Sequence, residues 1–426
     1  MAEAGEYISI DIDRLQVGLY ITLDLKWMEH PFLTKSFKIK DEKQLETLRH
    51  LGLKTIRFDP ARSDCAPLPI QPRGAAPAPA PTPSAEELAA IAKKKEHVER
   101  LVKLRQSVNQ CEKKFIEAAG TFRSINQNLY ARPQECMKSA VQLVSQMVDS
   151  ILIDKDLAIH AMNDKVAGED VYFHSLNVSV LAMMLAKEMK LGKPEISLVG
   201  LGALFHDIGK TRIPDKILRK IEPLTAAEAN FLAEHPHYGV EIGQGLKLPA
   251  PVLDIVLHHH ETMDGSGYPD RLDAKTLSRP ARIVAIANAF DNLCNQTNLA
   301  KSLTPYEAVS VMFAKQKHLY DPTALGVFIR SMGIYPPGTV VSLTDDIWGM
   351  VVSVNVNQPL RPVVLIYDPE VPKEEAILAN LGEESDLKIV RTYRPAELPR
   401  EVFDYLSPRQ RITYYFNETE GDKPRK

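Results

Sequence analysis

Cysteine is scarce in this chain of 426 residues. Its four cysteines, Cys65, Cys111, Cys136 and Cys294, lie far apart and form no Cys-x-x-Cys pair. This spacing argues against a disulfide framework and against a zinc ribbon with thiolate ligands. It is typical of a protein that is kept in a reducing cytoplasm.

Long apolar runs, a secretion signal and an excess of positive charge are also missing. The most apolar stretches, 178–186 and 198–205, are far shorter than the roughly 20 residues that span a bilayer. The N-terminus has no basic segment followed by an apolar core, so it does not read as a signal peptide. The formal net charge of −3 argues against a general affinity for the DNA or RNA backbone. We therefore expect a cytoplasmic protein without a membrane span.

Changes in composition divide the chain into several predicted regions. Seven prolines interleaved with alanine lie between residues 66 and 84, and such a segment predicts an extended, semi-rigid linker. The predicted fold is mainly α, with strand-like patterns near both ends. The predicted ranges are a small α+β regulatory module at 1–65, the linker at 66–84, a connecting helix at 85–132, a helical domain at 133–335, a β-rich C-terminal appendix at 336–416 and a flexible tail at 417–426.

The segment from residue 85 to 119 leaves two interpretations open. Ser84 and Glu87 fit a capping box, in which each side chain satisfies a free backbone N–H at the start of a helix. The residues that follow are charged, with apolar positions at helical spacing. They form either a surface helix packed on one side or a connecting helix that makes a homodimer and relays a signal. The heptads are too irregular for a long coiled coil.

Histidine is concentrated in one part of the chain. Seven of the 12 histidines, at positions 174, 206, 235, 237, 258, 259 and 260, fall within one window. Several of them stand beside carboxylates, and this combination predicts a metal site. Imidazole and carboxylate together suit Fe, Mn or Zn, whereas the absence of nearby thiolates argues against a structural zinc site.

The pair His206-Asp207 directly follows the apolar run 198–205. A buried helix would place this pair deep inside the protein, where an unpaired charge is costly and a metal would satisfy both side chains. The two oxygens of Asp207 can bridge two cations, which one histidine nitrogen cannot do. Lys210 lies about one helical turn from His206 and can reach the phosphate of a substrate. The predicted catalytic residues are therefore Asp207 and Lys210.

These strings resemble the HD-GYP family within the HD superfamily of metal-dependent phosphohydrolases. The family pattern of HD-x-GK, HP-x-x-G and HHE-x-x-DG-x-GYP is matched in order by residues 206–210, 235–239 and 259–269. The resemblance implies an all-helical HD-type domain at 133–335. Residues 7–59 also resemble the N-terminal module that is often joined to this family.

The resemblance implies two or three divalent metal ions, Fe or Mn. The ligands that it carries over are His174, His206, Asp207, His235, His259 and His260. The HHE string assigns His259 and His260 as ligands, so His258 is expected to pack beside the site or behind its ligands. Asp170, one helical turn before His174, is either a further ligand or a surface carboxylate. The residues expected to contact substrate are Lys210, Asp264, Gly265, Gly267, Tyr268 and Pro269.

Two departures from the family pattern concern the same apparatus. Asn288 stands where the family supplies a further metal-binding aspartate, and its amide oxygen carries no charge; Asp291, one turn later, can compensate. Thr297–Ala300 replaces an Arg-Pro-Tyr-Arg stretch that would give charge-assisted bonds to phosphate. Lys301 and Lys210 can partly replace those cations.

Three functions follow from the resemblance and its departures. The first is metal-dependent hydrolysis of the cyclic dinucleotide c-di-GMP to the linear dinucleotide pGpG, to GMP, or to both, in bacterial signalling. The second is a weakened module that binds a nucleotide or a signalling protein without turnover, which Asn288 and Thr297–Ala300 motivate. The third is an HD hydrolase that acts on another phosphate compound.

Overall fold

The computed structural model describes most of the chain, with several gaps. The described residues are 7–25, 30, 32, 35–69, 89, 92, 99, 113–153, 160–161, 170–296, 301–355, 358–369, 371–373, 376–384, 386–406 and 414–415. Most of the predicted linker, most of the connecting helix before residue 113, the Thr297–Ala300 segment and the predicted tail lie outside these residues. The mainly α fold with a small sheet near each end is confirmed.

The N-terminal module is a four-stranded sheet with one helix. Its elements are β1 (Ile8–Asp11), β2 (Tyr20–Thr22), β3 (Ser36–Lys38), α1 (Glu42–His50) and β4 (Thr55–Asp59). The strand order is β1-β4-β2-β3, and every neighbouring pair is antiparallel. The Asp41 carboxylate accepts a hydrogen bond from the backbone N–H of Gln44 and so caps α1. This helix buries Leu45 and Leu48 in the core of the module.

The helical domain contains most of the described helices. They are α2 (113–128), α3 (Pro133–Ile153), α4 (Asp170–Glu188), α5 (Lys193–Phe205), α6 (Asp215–Leu218), α7 (Ala226–Ala233), α8 (His235–Gly245), α9 (Ala250–His258), α10 (Arg279–Cys294), α11 (Pro305–Ala314) and α12 (Pro322–Met332). Capping boxes at Thr225 and Thr304 begin α7 and α11.

Helices α4, α5 and α10 form the centre of this domain. α5 is apolar on nearly all sides and buries all residues from Val199 to Phe205, as expected for a helix enclosed by others. α4 packs against both α5 and α10. The rings of Phe205 and Phe290 are fully buried there. This packing brings the start of α4, the end of α5 and the last turns of α10 together, and the functional site is built at that point.

The C-terminal appendix is a second small sheet. Its strands are β6 (Val340–Leu343), β7 (Trp348–Ser353), β8 (Val363–Ile366), β9 (Ile377–Asn380) and β10 (Ile389–Tyr393), followed by α13 (Arg400–Leu406). The strand order is β10-β6-β7-β8-β9. A separate two-residue pairing joins β5 (His160–Ala161) to β11 (Tyr414–Tyr415). Among the described helices, none has the length and apolar character needed to cross a membrane.

Candidate metal centre

The His206-Asp207 pair lies at the buried end of α5. His206 is the residue at which the helix ends, and Asp207 leads into a short 3₁₀ helix, Ile208–Arg212. His206 is 0% exposed and Asp207 is 4% exposed, so the predicted burial of this pair is correct. An ionised carboxylate at this depth requires compensating partners.

The first group of potential ligands joins this pair to α4. The Nε2 atom of His174 lies 3.2 Å from the Nε2 atom of His206. Both nitrogens are 3.5 Å from Oδ2 of Asp207. Three ligand atoms of the kinds that bind divalent transition metals therefore converge on one point.

The second group uses the other oxygen of the same carboxylate. Oδ1 of Asp207 lies 3.3 Å from Nε2 of His235 and 3.6 Å from Nε2 of His259. These two nitrogens are 3.2 Å apart, and His260 completes the group. Asp207 therefore presents one oxygen to each group, which is the arrangement expected of a carboxylate that bridges two cations.

The other ring nitrogens of these histidines fix which atoms face the site. Nδ1 of His206 lies 2.6 Å from the carbonyl oxygen of Ala203, and Nδ1 of His259 lies 2.9 Å from that of Val256. Nδ1 of His235 is 2.7 Å from the carbonyl oxygen of Leu232. A carbonyl oxygen only accepts, so Nδ1 carries the proton in each case and Nε2 carries a lone pair. Metal-binding histidines are oriented in this way.

Burial favours the neutral, metal-binding form of His206, His259 and His260 by lowering the pKa of each. It lowers the pKa of His206 well below the usual range, and the neighbouring His259 and His174 lower it further. Burial likewise lowers the pKa of His259 to about 4 and depresses that of His260. Burial alone would raise the pKa of the Asp207 carboxyl, but Lys210 and His206 beside it hold that pKa well below the usual range.

Metal coordination explains the arrangement of these side chains better than hydrogen bonds among the side chains themselves. Two lone pairs that face each other at 3.2 Å, as in His174 with His206 and His235 with His259, cannot form a hydrogen bond between neutral rings. In addition, Oδ1 of Asp207 and Nε2 of His260 are buried without a hydrogen-bond partner among the described residues. Unpaired buried polar atoms are costly, and cations coordinated by these atoms would satisfy them.

Lys210 lies at the edge of the first group. Its Nζ atom donates a hydrogen bond to Oδ2 of Asp207 over 2.6 Å. Gly209, between them, packs so closely on the carbonyl group of His235 that a β-carbon there would clash with backbone atoms. The 3₁₀ helix is therefore pressed against α8, which aligns His235 with Asp207.

The loop of residues 264–270, here called the GYP loop, folds back on the end of α9. The Tyr268 ring stacks on the His260 ring, with centroids 4.6 Å apart and planes inclined by 17°. Gly265 has a φ of 75°, in the left-handed region that favours glycine. The Asp264 carboxylate accepts hydrogen bonds from the hydroxyls of Ser266 and Thr262, which lower its pKa to about 2. Of the predicted substrate contacts in this loop, Tyr268 stacks its ring on a predicted metal ligand.

The predicted ligands outside the two groups have different surroundings. Asn288 is buried, and its Oδ1 atom accepts a hydrogen bond from Asn292 over 2.7 Å. Asp291 does not face Asp207; instead its Oδ2 atom accepts from Nδ1 of His174 over 2.6 Å. Asp170 begins α4, but its side chain lies outside the described part of the structure. Asp291 was expected to compensate for the missing carboxylate at position 288. In the structure its carboxylate instead accepts a hydrogen bond from His174 and orients that ring.

Glu261 and His258 make contacts that the sequence does not predict. Glu261 is 1% exposed, and its carboxylate accepts from the backbone N–H groups of Asp270 and Leu272. The two ring nitrogens of His258 contact the carboxylates of Asp254 and Asp270. These contacts identify the partners of a histidine that was expected to lie beside or behind the ligands. The signal for Glu261 was present, since it is the glutamate of the HHE string, but a motif does not show which backbone groups it binds.

Comparisons with known proteins agree with this geometry. Residues 146–324 match the HD domain family, and residues 7–140 match a family described as a domain of unknown function, DUF3391. The chain is similar to cyclic di-GMP phosphodiesterase PA4108 of Pseudomonas aeruginosa, with 28% identity over 91% of this chain and 92% of the relative. It is 35% identical to the cyclic di-GMP phosphodiesterase response regulator RpfG of Xanthomonas campestris over 36% of this chain and 41% of that relative.

A solved structure also aligns with the chain. It is Bd1817, an HDG"Y"P protein from Bdellovibrio bacteriovorus, with a TM-score of 0.43 and 16% identity over 76% of this chain and 98% of that chain.

Proposed function

Because the chain belongs to the HD-GYP family of HD domain proteins, we propose that it is a metal-dependent phosphodiesterase that hydrolyses the cyclic dinucleotide c-di-GMP. Relatives that match at 28% and 35% identity carry the name cyclic di-GMP phosphodiesterase, and one of them is matched over nearly its whole length. The weakened module considered from Asn288 is not favoured, because the HD and GYP strings and their histidines are complete.

The observation that carries this proposal is the position of Asp207. Its two oxygens each face a separate set of histidine nitrogens. Within the described residues, the Nε2 lone pairs of His174 and His206 face each other, as do those of His235 and His259. A structural role would be served by hydrogen-bonded or apolar side chains instead. Two cations at this point would account for the whole arrangement.

The chain's own residues would hold and orient these ions. His174, His206 and Asp207 form one site, and His235, His259 and His260 form the other with Asp207 shared between them. Divalent ions bound there would supply Lewis-acid stabilisation of the phosphoryl charge and a water of lowered pKa. We propose Fe or Mn, since imidazole and carboxylate ligands suit both. Asp170 remains a candidate ligand of a third ion, and Asn288 remains a candidate ligand in place of the family's aspartate.

Lys210 and Tyr268 are the proposed contacts to substrate. The ammonium group of Lys210 lies beside Asp207 and would neutralise charge that develops on the phosphoryl oxygens. Tyr268 stacks on a proposed ligand, His260, and can stack on or hydrogen-bond to the dinucleotide. The glycines of the GYP loop let its backbone approach a ligand closely. The products would be pGpG, GMP or both.

The regulatory arrangement is proposed on the sequence alone. The N-terminal module would sense a signal, and the 85–119 segment would relay it, with a homodimer through that segment as one form of the relay. Signalling proteins are further partners of this arrangement. The scarcity of cysteine supports a cytoplasmic location.

A hydrolysis assay with a small substrate panel tests the proposed function. Protein loaded with Mn, or with Fe under reducing conditions, is incubated with c-di-GMP, 3'3'-cGAMP and an unrelated phosphodiester. We expect hydrolysis of c-di-GMP by the wild-type protein and no hydrolysis by His206→Ala. If c-di-GMP stays intact both with Mn and with Fe, the proposal is contradicted. Faster hydrolysis of another compound would reassign the substrate.

A further inference from the structure

His258 stands directly before the metal ligands but is not one of them. Its Nδ1 atom lies 2.8 Å from Oδ1 of Asp254, and its Nε2 atom lies 3.1 Å from Oδ2 of Asp270. Both ring nitrogens therefore face carboxylates, and neither is directed at Asp207. Its position precedes the HHE string, so neither the motif nor the proposed function assigns it a role.

Asp270 is held at two points, and the contact of its carboxylate with His258 is only one of them. The backbone N–H of Asp270 donates to Oε1 of Glu261 over 2.7 Å, and that of Leu272 donates to Oε2 over 3.0 Å. Glu261 is buried, so these bonds are shielded from water. Residue 270 is therefore held through its side chain by His258 and through its backbone by Glu261.

This double attachment fixes the end of the GYP loop. Tyr268 precedes Asp270 by two residues, and its backbone N–H lies 3.4 Å from the carbonyl oxygen of His260. A β-carbon on Gly267 would lie 2.5 Å from the α-carbon of Glu261, so the loop backbone rests directly on the chain that carries the ligands. A shift at residue 270 would therefore be transmitted to the Tyr268 ring that stacks on His260.

The opposite side of the His258 ring is anchored in the helical domain. Asp254, one turn earlier on α9, accepts from His258 and also from the hydroxyl of Ser278 over 2.5 Å. Ser278 is the residue that caps α10 through the backbone N–H of Ala281. The ring thus connects the GYP loop to a rigid junction between α9 and α10.

We propose that His258 is a positioning residue, which together with Glu261 clamps residue 270 and so holds Tyr268 against His260. The clamp itself is inferred from the contacts of His258 and Glu261 with residue 270, which involve no substrate. The effect of the clamp on turnover rests on the proposed function, because that function is what assigns Tyr268 a contact with substrate.

Hydrogen–deuterium exchange on the full-length chain tests the clamp without a substrate. We expect peptides that cover residues 264–272 to exchange about tenfold faster in His258→Ala and in Asp270→Ala, the factor that loss of one hydrogen bond to a charged group corresponds to. The Asp270 side chain is 46% exposed, so its replacement leaves the core intact. Unchanged exchange in both variants would overturn the proposal, as would an equal increase throughout α9 and α10.

Two further variants separate positioning from general destabilisation. Asp270→Asn keeps an oxygen that accepts from the His258 ring, so we expect its loop to exchange nearly as slowly as the wild type. If the loop of Asp270→Asn exchanged as fast as that of Asp270→Ala, the assigned contact between His258 and Asp270 would be contradicted. His50→Ala removes an exposed histidine of the N-terminal module, and we expect no change in the loop.

Kinetics provide the second readout. We expect His258→Ala and Asp270→Ala to lower kcat/KM for c-di-GMP about tenfold while the metal content per chain stays at the wild-type value, and Asp270→Asn to restore most of the activity. Activity lost in parallel with metal would overturn the positioning role. If the wild-type protein hydrolyses no cyclic dinucleotide, the proposed function fails, and the exchange experiment still decides the clamp.

Discussion

Nδ1 of His174 donates a hydrogen bond to Oδ2 of Asp291, 2.6 Å away, across 117 positions of sequence. The other oxygen of Asp291 accepts from the side-chain amides of Asn177 and Asn295. All of these partners donate, so a full carboxylate is needed at this position. It fixes the His174 ring with its Nε2 lone pair directed at His206.

Replacing Asp291 with asparagine should therefore weaken the first metal site. The new NH2 group would face one of three donors, and the His174 ring would lose its orientation. We expect a 10- to 100-fold loss of metal affinity or activity, the range typical of residues behind metal ligands. Metal titration of the two proteins measures the change. The matched control is Asp215→Asn, whose carboxylate is exposed and should leave metal affinity unchanged.

Asn288→Asp should strengthen metal binding. The residue is buried, and its oxygen already accepts from the Asn292 amide, which would donate equally well to a carboxylate. The substitution adds a negative charge and the ligand type that the family supplies at this position. We expect a rise in metal affinity of about tenfold, measured by competition with a chelator. An unchanged metal affinity would show that position 288 takes no part in the site.

Gly209→Ala should destabilise the helical domain. The added β-carbon would meet the carbonyl group of His235 and other backbone atoms, which cannot turn aside as a side-chain end can. We expect a loss of about 3 kcal/mol, at the upper end of overpacking effects, seen as a lower melting temperature.

Gly120→Ala provides the matched control for that substitution. This glycine lies in α2, and among the described residues no atom beyond its chain neighbours and the backbone of its own helix lies within 4 Å of the added β-carbon. Replacing a helical glycine by alanine should stabilise the protein by roughly 0.5–1 kcal/mol. Equal effects of the two substitutions would contradict the close packing at Gly209.

Removal of metal should lower the melting temperature. Without cations, Oδ1 of Asp207 and Nε2 of His260 stay buried and unsatisfied. A ligand present at about 1,000 times its dissociation constant stabilises by about 4 kcal/mol, so adding Mn to chelated protein should raise the melting temperature by several degrees. His206→Ala should show a much smaller rise. An identical rise in both proteins would place the metal elsewhere.

The two groups of potential ligands were predictable from the sequence because, His174 apart, each of these residues falls in a short motif with its own spacing. The position of Asp207 between the two groups agrees with the expectation drawn from its two oxygens. The burial of the pair followed from the apolar run of α5. These inferences needed only local sequence and the chemistry of the side chains.

The supporting contacts were not accessible because they depend on how helices pack. The partner of His174 lies on α10, far along the chain, and the bonds from Glu261 end on backbone groups that no side-chain pattern reveals. The hydrogen bonds of Asp264 to Thr262 and Ser266 likewise depend on a backbone turn. Predicting that turn would require knowing the backbone path through Gly265.

The most direct test measures metal content and c-di-GMP hydrolysis together in the wild type and in Asp207→Asn. The amide keeps the shape of the side chain but cannot present a charged oxygen to each histidine group. We predict at least two metal ions per wild-type chain with hydrolysis of c-di-GMP, and loss of bound metal with a more than roughly hundredfold lower rate in the variant. Wild-type metal content and turnover in Asp207→Asn would contradict the account.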